Sequence, residues 1–373
     1  MHFPTFKLER FFAAHEFGVK HLLCASDCES LSVAELLDLA PGAPEELMRL
    51  GLGYTESPGH PDLRAAIAAL YDTISPAQIL VHSGAEEAIL GFGLSVLEPG
   101  DHIIVHAPCY QSLIAVARAA GCAISPWQAD PAQGWALDPD ELPRLATPQT
   151  RAIVVNSPHN PTGYQLDRQR FDAIVRFAAS RGLLLFSDEV YRGLEYDAAD
   201  RLPAACDVYE NAVSLGVMSK SYGLAGLRIG WIASQNSRVR DAMAAFKDYA
   251  TICSSAPSEY LATLALRHGP TLIDRNRDII LANLTLLDEF FARHSSRLSW
   301  TRPKAGAIAF PQLVQGCAEA FCRGLLLAHG ALLTPSTLFD AGSSHFRLGF
   351  GRRNFAAGLT VLEEYLAGLD KQE

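Results

Sequence analysis

Short apolar runs alternate with helix-like segments through the centre of the chain, and this alternation constrains the fold more than any other feature. Helical segments follow the runs QILVHS, HIIVHA and RAIVVNS. The runs LLLFSDEVY, AVSLGVMS and LRIGWIA complete the set. Continuous apolar strands between helices are typical of a mainly parallel sheet that is covered on both faces. The sequence therefore predicts an α/β fold built on such a sheet.

The C-terminal third of the chain has a different pattern. A long helical stretch, LIDRNRDIILANLTLLDEFFARH, precedes strand-like segments such as AIAFPQL and HFRLGFG. This order predicts a smaller α+β domain. We expect the N-terminal segment to join it, because the helical stretch VAELLDLA needs apolar cover. The predicted boundaries are 46–269 for the large domain, and 1–45 with 270–373 for the small one.

Charge and composition argue against several function classes. The 373 residues carry a formal net charge of −10, whereas nucleic acids and anionic membranes attract basic surfaces. No apolar run approaches a membrane span, and the first residues contain no apolar stretch of the signal-peptide kind. The eight cysteines form no C-x-x-C pair and no cluster of metal ligands. These features predict a cytoplasmic protein with reduced thiols, no metal, and no nucleic-acid or membrane partner.

The predicted strand ends hold the polar and turn-forming residues, at the edge where ligands bind in parallel α/β sheets. Gly84, Ala85 and Glu86 open a helix directly after a strand, and the amides of a helix N-terminus bind phosphate. Ser219 and Arg228 offer a hydroxyl and a guanidinium to the same phosphate. Because any α/β protein has such turns, these residues alone fit either a phosphate site or an ordinary loop.

Four further strand-end side chains each have a functional and a structural interpretation. Asp188 can keep a pyridinium nitrogen protonated, or it can cap a turn. Tyr191 and Asn160 can hydrogen-bond a phenolate oxygen, or they can pack and form a turn. Tyr110 can stack on an aromatic ring or lie in the core. Together these parts describe a receptor for pyridoxal 5'-phosphate in which Lys220 bonds to the aldehyde.

The order of short motifs resembles that of the class I/II aminotransferases of fold type I. The motifs are GAEEA, PCY, NSPHNPTG, SDEVY, the SK pair at Lys220, and an arginine eight residues later. The resemblance implies that Arg347, in HFRLGFG, grips the α-carboxylate of an amino-acid substrate, a task that suits a bidentate arginine. It also implies a homodimer with shared active sites, in which Tyr54 reaches the phosphate of the neighbouring subunit.

The N-terminal stretch departs from that family. Members carry an L-x-x-G-x-P-like motif there, whereas residues 22–37 read LLCASDCESLSVAELL, without such a glycine or proline. Together with SPGHPDLR, APCYQSL and SLGVMSKSYGLAGLRIGW, this stretch resembles a narrower branch of the capreomycidine synthase type, which closes a ring on a hydroxylated arginine. A guanidinium substrate needs carboxylate partners. Glu9, Asp27 and Glu29 are the candidates, and each has the alternative of facing solvent.

The leading functional interpretation is a cyclase, dependent on pyridoxal phosphate, that acts on a free hydroxylated arginine. Lys220 removes the Cα proton, the hydroxyl leaves as water, and a guanidine nitrogen closes the ring. Loss of the hydroxyl from Cβ would give a six-membered ring, as in capreomycidine, and loss from Cγ a five-membered ring, as in enduracididine. The first alternative is an aminotransferase that transfers an amino group between an L-amino acid and a 2-oxo acid. A C–S lyase-like activity is a further alternative.

Overall fold

The computed structural model describes residues 2–370, in which helices and strands alternate through the centre of the chain. The α-helices are α1 (Lys7–His15), α2 (Val33–Leu37), α3 (Ala43–Arg49), α4 (Pro61–Ala68), α5 (Ala85–Ser95), α6 (Ser112–Ala119), α7 (Leu142–Leu145), α8 (Arg168–Ser180), α9 (Ala205–Val208), α10 (Ser237–Asp248), α11 (Ala256–Arg267), α12 (Gly269–Arg293), α13 (Ala318–His329) and α14 (Phe355–Asp370). The strands are β1 (His21–Leu22), β2 (Ile79–His82), β3 (His102–Ala107), β4 (Ala123–Gln128), β5 (Thr150–Asn156), β6 (Leu184–Asp188), β7 (Ala212–Val217), β8 (Gly230–Ala233), β9 (Leu298–Ser299), β10 (Ile308–Ala309), β11 (Gln312–Leu313), β12 (Ala331–Leu332), β13 (Thr334–Pro335) and β14 (Phe346–Gly349).

A seven-stranded sheet forms the centre of the molecule, in the order β2-β8-β7-β6-β5-β3-β4. Strands β3 to β7 pair in parallel, while β8 runs antiparallel to both β7 and β2. Strand β8 is therefore the one reversed member of this sheet. The prediction of a mainly parallel sheet in an α/β fold is confirmed.

Both faces of the sheet are buried, which explains the continuous apolar runs. Successive side chains of a strand point to opposite faces. Ile103 and Val105 accordingly pack with Val154 in one apolar cluster, whereas Ile104 packs with Ile153 in another. Helices α5, α6 and α10 contribute to the first cluster, and α8 contributes to the second. The helices thus hold the sheet between two layers, and leave its edge of strand carboxyl ends available for a site.

The remaining strands form three small sheets. Strands β10, β14 and β13 pair antiparallel, as do β9 and β11, while β1 pairs in parallel with β12. With the 25-residue helix α12 and with α13 and α14, they match the expected smaller α+β part. The domain boundaries at residues 46 and 269 stay a prediction.

The N-terminal segment meets the C-terminal part through β1, which pairs with β12, and through Lys7 of α1, which forms an ion pair with Asp340. Leu36 and Leu37 of α2, the helix expected to need apolar cover, pack in a cluster with Leu63 of α4, Leu261 of α11 and Leu272 of α12. No helix within residues 2–370 is both long enough and apolar enough to cross a membrane.

Residues 23–29 are held against the end of β14. Gly349 N donates to the Leu23 carbonyl over 2.7 Å, and Glu29 N donates to the Gly351 carbonyl over 2.9 Å. A Cβ added at Gly351 would lie 2.6 Å from the carbonyl oxygen of Asp27, closer than real side chains come. Glycine is therefore required there for the two backbones to approach. This packing brings the stretch that departs from the aminotransferase motif to the carboxyl edge of the sheet.

Candidate active site

A cavity of about 570 Å³ lies at the carboxyl edge of the central sheet, beneath α1 and beside β14. It collects most of the side chains that the sequence singled out, from segments more than 300 residues apart. The predicted residues that line it are Glu9, Asp27, Ala85, Glu86, Tyr110, Asn160, Asp188, Tyr191, Ser219, Lys220, Arg228 and Arg347. This convergence follows from topology, because the carboxyl ends of neighbouring parallel strands meet at one edge.

Lys220 enters the cavity three residues after β7 ends. Its Nζ donates a hydrogen bond to the Ser26 hydroxyl over 2.9 Å and lies 5.9 Å from the centre of the Tyr191 ring. No carboxylate forms an ion pair with this amine among residues 2–370. The lysine is therefore positioned in the cavity by a neutral partner and remains available to react.

Asp188 ends β6 at the floor of the cavity, with 6% of its surface exposed. Burial raises the pKa of its carboxyl to about 7, although the backbone amide of Val190 and the charge of Lys220 lower it. The Asn156 amide donates to the Asp188 carbonyl over 2.9 Å, which ties the ends of β5 and β6 together. A cationic group placed beside this carboxyl would favour its charged form.

The first turn of α5, together with Ser219 and Arg228, forms one end of the site. Gly84 precedes α5 with φ of 85°, a backbone conformation that glycine adopts at little cost. A Cβ there would overlap the Arg228 guanidinium, so this glycine allows the arginine to approach the helix N-terminus. Arg228 has φ of 51°, an uncommon left-handed conformation for a non-glycine residue. Backbone amides, a hydroxyl and a guanidinium thus converge, which is the donor set that phosphate requires.

Arg347 lies on β14 at another wall of the cavity, with 1% of its surface exposed. Its Nη1 donates to Asn160 Oδ1 over 3.1 Å, and its Nη2 donates to the Cys24 carbonyl over 2.8 Å. Its guanidinium carbon lies 5.6 Å from the Phe12 ring centre and 5.4 Å from that of Phe339. Two aromatic rings and two hydrogen bonds therefore fix the orientation of this cation.

Carboxylates from the N-terminal segment face the same cavity. Glu9 Oε1 accepts a hydrogen bond from the Tyr110 hydroxyl over 2.8 Å. Both oxygens of Asp27 accept from Arg352 Nη2 at 3.0 Å. Glu16 also lines the cavity, in a 3₁₀ turn (Glu16–Gly18) directly after α1. Burial, Asp27 and Glu9 raise the pKa of Glu16, against the opposing charges of Arg352 and Arg347.

Two predicted site residues lie elsewhere in the single chain. The Glu29 carboxylate accepts a hydrogen bond from the backbone amide of Arg353 over 3.0 Å and does not line the cavity. Tyr54 is 90% exposed and lies on a separate concave surface with His60 and Tyr260. A residue that contacts another subunit is exposed in the single chain, and the exposure of Tyr54 agrees with this. Glu29 is accounted for by a local structural contact.

Phe12, Glu16 and Ser26 also line the cavity and were not among the predicted site residues. A signal for two of them was present, because Glu9, Phe12 and Glu16 follow the helical spacing that places residues on one face. Ser26 carried no comparable signal. Its contact with Lys220 depends on how residues 23–29 pack against β14.

Comparisons with known proteins agree with this geometry. The family model for class I and II aminotransferases matches residues 20–360. The chain is 30% identical to capreomycidine synthase of Streptomyces vinaceus over 369 residues, covering 97% of this chain and 94% of that protein. A crystal structure of a pyridoxal phosphate-dependent aminotransferase from Streptococcus suis superposes with a TM-score of 0.91 at 31% identity, covering 98% of each chain. That of the pyridoxal phosphate-dependent cyclase OrfR gives 0.90 at 32% identity, covering 99% of this chain and 98% of OrfR.

The chain belongs to the class I and II aminotransferase family and is a pyridoxal phosphate-dependent enzyme. Its own residues fit that cofactor. The Tyr191 hydroxyl is buried in the cavity wall and has no hydrogen-bond partner among residues 2–370, so a ligand oxygen would satisfy it. The space between Gly84 and Arg228 would be filled by a single Cβ, and the buried Asp188 carboxyl lies in the same cavity.

Proposed function

We propose that this enzyme is a cyclase that converts a free hydroxylated arginine into a cyclic arginine derivative with loss of one water. The observation that carries the proposal is the acidic N-terminal wall. Glu9, Glu16 and Asp27 face the cavity that contains Lys220 and Arg347. Carboxylates suit a substrate with a guanidinium at its far end. Similarity to a capreomycidine synthase and to the cyclase OrfR supports the same reaction type.

The proposed binding of the cofactor uses the residues already described. The amides of Gly84, Ala85 and Glu86, with Ser219 and Arg228, would hold the phosphate at the start of α5. Asp188 would pair with the ring nitrogen, Tyr191 and Asn160 would donate to the phenolic oxygen, and Tyr110 would pack on the ring. When bound, pyridoxal phosphate withdraws electrons from the substrate Cα and makes its proton easier to remove.

Lys220 and Arg347 have the central roles toward the substrate. Arg347 holds the α-carboxylate, for which its rigid position between Phe12 and Phe339 is suitable. Lys220 would hold the cofactor through its aldehyde, and its amine takes the Cα proton and later returns it. The hydroxyl leaves from Cβ, or from Cγ once a Cβ proton has also been removed for later return, and takes up a proton to become water. A guanidine nitrogen bonds to that carbon and releases a proton, so the reaction needs no oxidant, reductant or second substrate.

An aminotransferase is the second candidate. The aminotransferase from Streptococcus suis is as similar in structure to this chain as OrfR is. Both candidates require Lys220 to remove the Cα proton. They differ in where the proton goes next and in whether a 2-oxo acid is consumed.

We also propose that two copies form a homodimer with shared active sites. The largely exposed side chains of Met48, Leu52, Tyr54 and Tyr249 lie in two segments that are tied together. One tie is the hydrogen bond from Ser57 Oγ to Asp248 Oδ1 over 3.0 Å. Exposed apolar surface of this kind is typical of an interface.

Two measurements test the dimer. Sedimentation should give twice the monomer mass, and Tyr54→Phe should weaken binding of pyridoxal phosphate to the cofactor-free protein roughly 10-fold or more, as expected for a lost charge-assisted hydrogen bond. A monomer that binds the cofactor with unchanged affinity in the variant would contradict the shared site.

Product analysis tests the proposed reaction. The holoenzyme is incubated with 3-hydroxyarginine or with 4-hydroxyarginine, with and without pyruvate, and the products are analysed by mass spectrometry and NMR. We expect one of the two compounds to lose a single water and to form a ring in the absence of pyruvate. A 2-oxo acid product that forms only when pyruvate is present would establish the aminotransferase.

A further inference from the structure

Glu9, Glu16 and Asp27, the carboxylates of the acidic N-terminal wall, differ in whether they already have a hydrogen-bond or ion-pair partner. Glu9 accepts a hydrogen bond from Tyr110, and Asp27 is held by both of its oxygens on Arg352. No hydrogen bond or ion pair engages the Glu16 carboxylate within residues 2–370. Of these three carboxylates, Glu16 is therefore the one with no partner among the described residues, whereas Glu9 is engaged through one oxygen only.

The packing of α1 against the rest of the protein fixes the position of Glu16 at the cavity. The helix packs its buried Leu8 inward and lays the Phe12 ring beside the Arg347 guanidinium. The Lys7 ammonium pairs with Asp340 at 2.5 Å, and this pair anchors the start of the helix to the segment before β14. Glu16 lies four residues beyond Phe12, on the same side of the segment. Its position thus depends on a packed helix and not on a loose terminus.

The electrostatic surroundings of Glu16 favour a cation. The partial burial of its carboxylate and the neighbouring Asp27 and Glu9 raise its pKa, and the positive charges of Arg352 and Arg347 offset this only in part. Arg352 already shares its charge with Asp27. A cation in the cavity would relieve the repulsion among these carboxylates.

A second observation shows that this cavity is built for a polar ligand. The Tyr191 side chain is 2% exposed, and its hydroxyl has no partner among the described residues. Nε of Arg347, itself in the cavity wall and 1% exposed, is likewise without a partner. Buried polar groups are normally satisfied, so unpaired ones facing a cavity mark positions that a ligand completes.

We propose that Glu16 binds the guanidinium of the substrate and is the residue that selects arginine-type side chains over neutral ones. Arg347 and Glu16 then recognise the two charged ends of one molecule. Asp27, held on Arg352, keeps the acidic wall in place without contacting the cation directly. The inference rests on the proposed substrate class, but it does not depend on whether the reaction is cyclisation or transamination.

The test compares L-arginine with L-citrulline, which has nearly the same shape and no charge. Binding to the holoenzyme is measured by stopped-flow absorbance of the bound pyridoxal phosphate, for the unaltered protein and for Glu16→Gln, Glu16→Asp and Glu319→Gln. Glu319 is an exposed carboxylate in the first turn of α13 and serves as the matched control. We expect Glu16→Gln to weaken L-arginine binding roughly 10- to 150-fold, as for loss of a charge-assisted hydrogen bond, and to leave L-citrulline binding nearly unchanged. Glu16→Asp should keep part of the preference, and Glu319→Gln all of it.

The other outcomes separate this inference from the proposed function. An unaltered preference for L-arginine in Glu16→Gln would overturn the role of Glu16, and loss of that preference in Glu9→Gln would transfer the role to Glu9. Equal binding of L-arginine and L-citrulline by the unaltered protein would overturn the substrate class itself. Loss of the preference in Glu16→Gln, in an enzyme that transaminates L-arginine, would leave the role of Glu16 intact and remove the cyclase.

Discussion

Lys220 and Ser26 are joined by a hydrogen bond of 2.9 Å, although 194 positions separate them in the chain. The contact links the amine at the end of β7 to the stretch that departs from the aminotransferase motif. Ser26 therefore lines the same cavity as the lysine amine, and the N-terminal segment contributes to the candidate site.

Covalent attachment at Lys220 is the first prediction. Borohydride reduction of the holoenzyme should fix the cofactor to Lys220, because reduction makes the lysine–aldehyde bond permanent. Peptide mapping by mass spectrometry locates the label. In Lys220→Ala no label should be found, and a label on Lys247, which is buried and bonded to the Ser57 carbonyl, would refute the assignment.

Asp188→Asn should retain much of the cofactor affinity and lose most of the turnover. The amide has the size of the carboxyl but no charge to keep a ring nitrogen protonated, so an electrostatic contribution on the order of 10²-fold in kcat is lost. The measurement pairs cofactor titration with steady-state kinetics. If the asparagine variant turned over at a near-normal rate, the proposed role of Asp188 would be excluded.

Arg347→Lys should raise KM roughly 10- to 150-fold and change kcat much less. The α-carboxylate is present throughout the reaction, so loss of its partner removes uniform binding. A lysine keeps the charge but cannot reproduce the donor pair that Asn160 and Cys24 accept. Kinetics with the hydroxyarginine that proves to be the substrate provide the check, and an unchanged KM would show that another group holds the carboxylate.

Glu86 and Glu87 should affect stability in opposite ways. Burial raises the pKa of Glu86 to about 7, outweighing Ser112 and Arg228, so this group favours the native state at low pH and loses that contribution as the pH rises from about 4.5 to 7. For Glu87, burial is outweighed by hydrogen bonds with His82, Thr251 and Ser83, which lower the pKa to about 2. Its contribution to the stability of the native state is therefore present above about pH 4.5 and is lost as the pH falls toward 2.

The prediction is measured by denaturant unfolding of the cofactor-free protein at pH 5 and pH 8. At pH 8, Glu86→Gln should be more stable than the unaltered protein, by at most about 3 kcal/mol, and the gain should shrink at pH 5. Glu87→Gln should be less stable at pH 8. A loss of stability in Glu86→Gln at pH 8 would show that its charged form is well solvated in the native state.

The sequence predicted the central fold because both faces of the sheet are buried. Six of the seven strands appeared as apolar runs, whereas β4 did not. It is an edge strand whose residues are mostly exposed or partly exposed, and it contains Pro126, which edge strands tolerate. The strand-end residues assembled as expected, since topology alone brings them to one edge.

The acidic wall was harder to predict, because it depends on tertiary packing of the N-terminal segment. Asp27 and Glu29 are two residues apart, yet one faces the cavity and the other accepts the Arg353 amide. The helical spacing places Glu16 on one face with Glu9 and Phe12, but it does not show what that face packs against. The place of Glu16 beside Asp27 follows from the docking of α1 over the site and of residues 23–29 against β14.

The most direct test of the cyclase counts turnovers without any 2-oxo acid. Purified holoenzyme is mixed with an excess of the hydroxyarginine, free of other amino acids and oxo acids, and the substrate consumed per active site is measured over time. The cyclase account predicts many turnovers per site, with one water lost in each and the cofactor unchanged at the end. Consumption that stops at one substrate per site, with the amino group left on the cofactor, would contradict it and identify the enzyme as an aminotransferase.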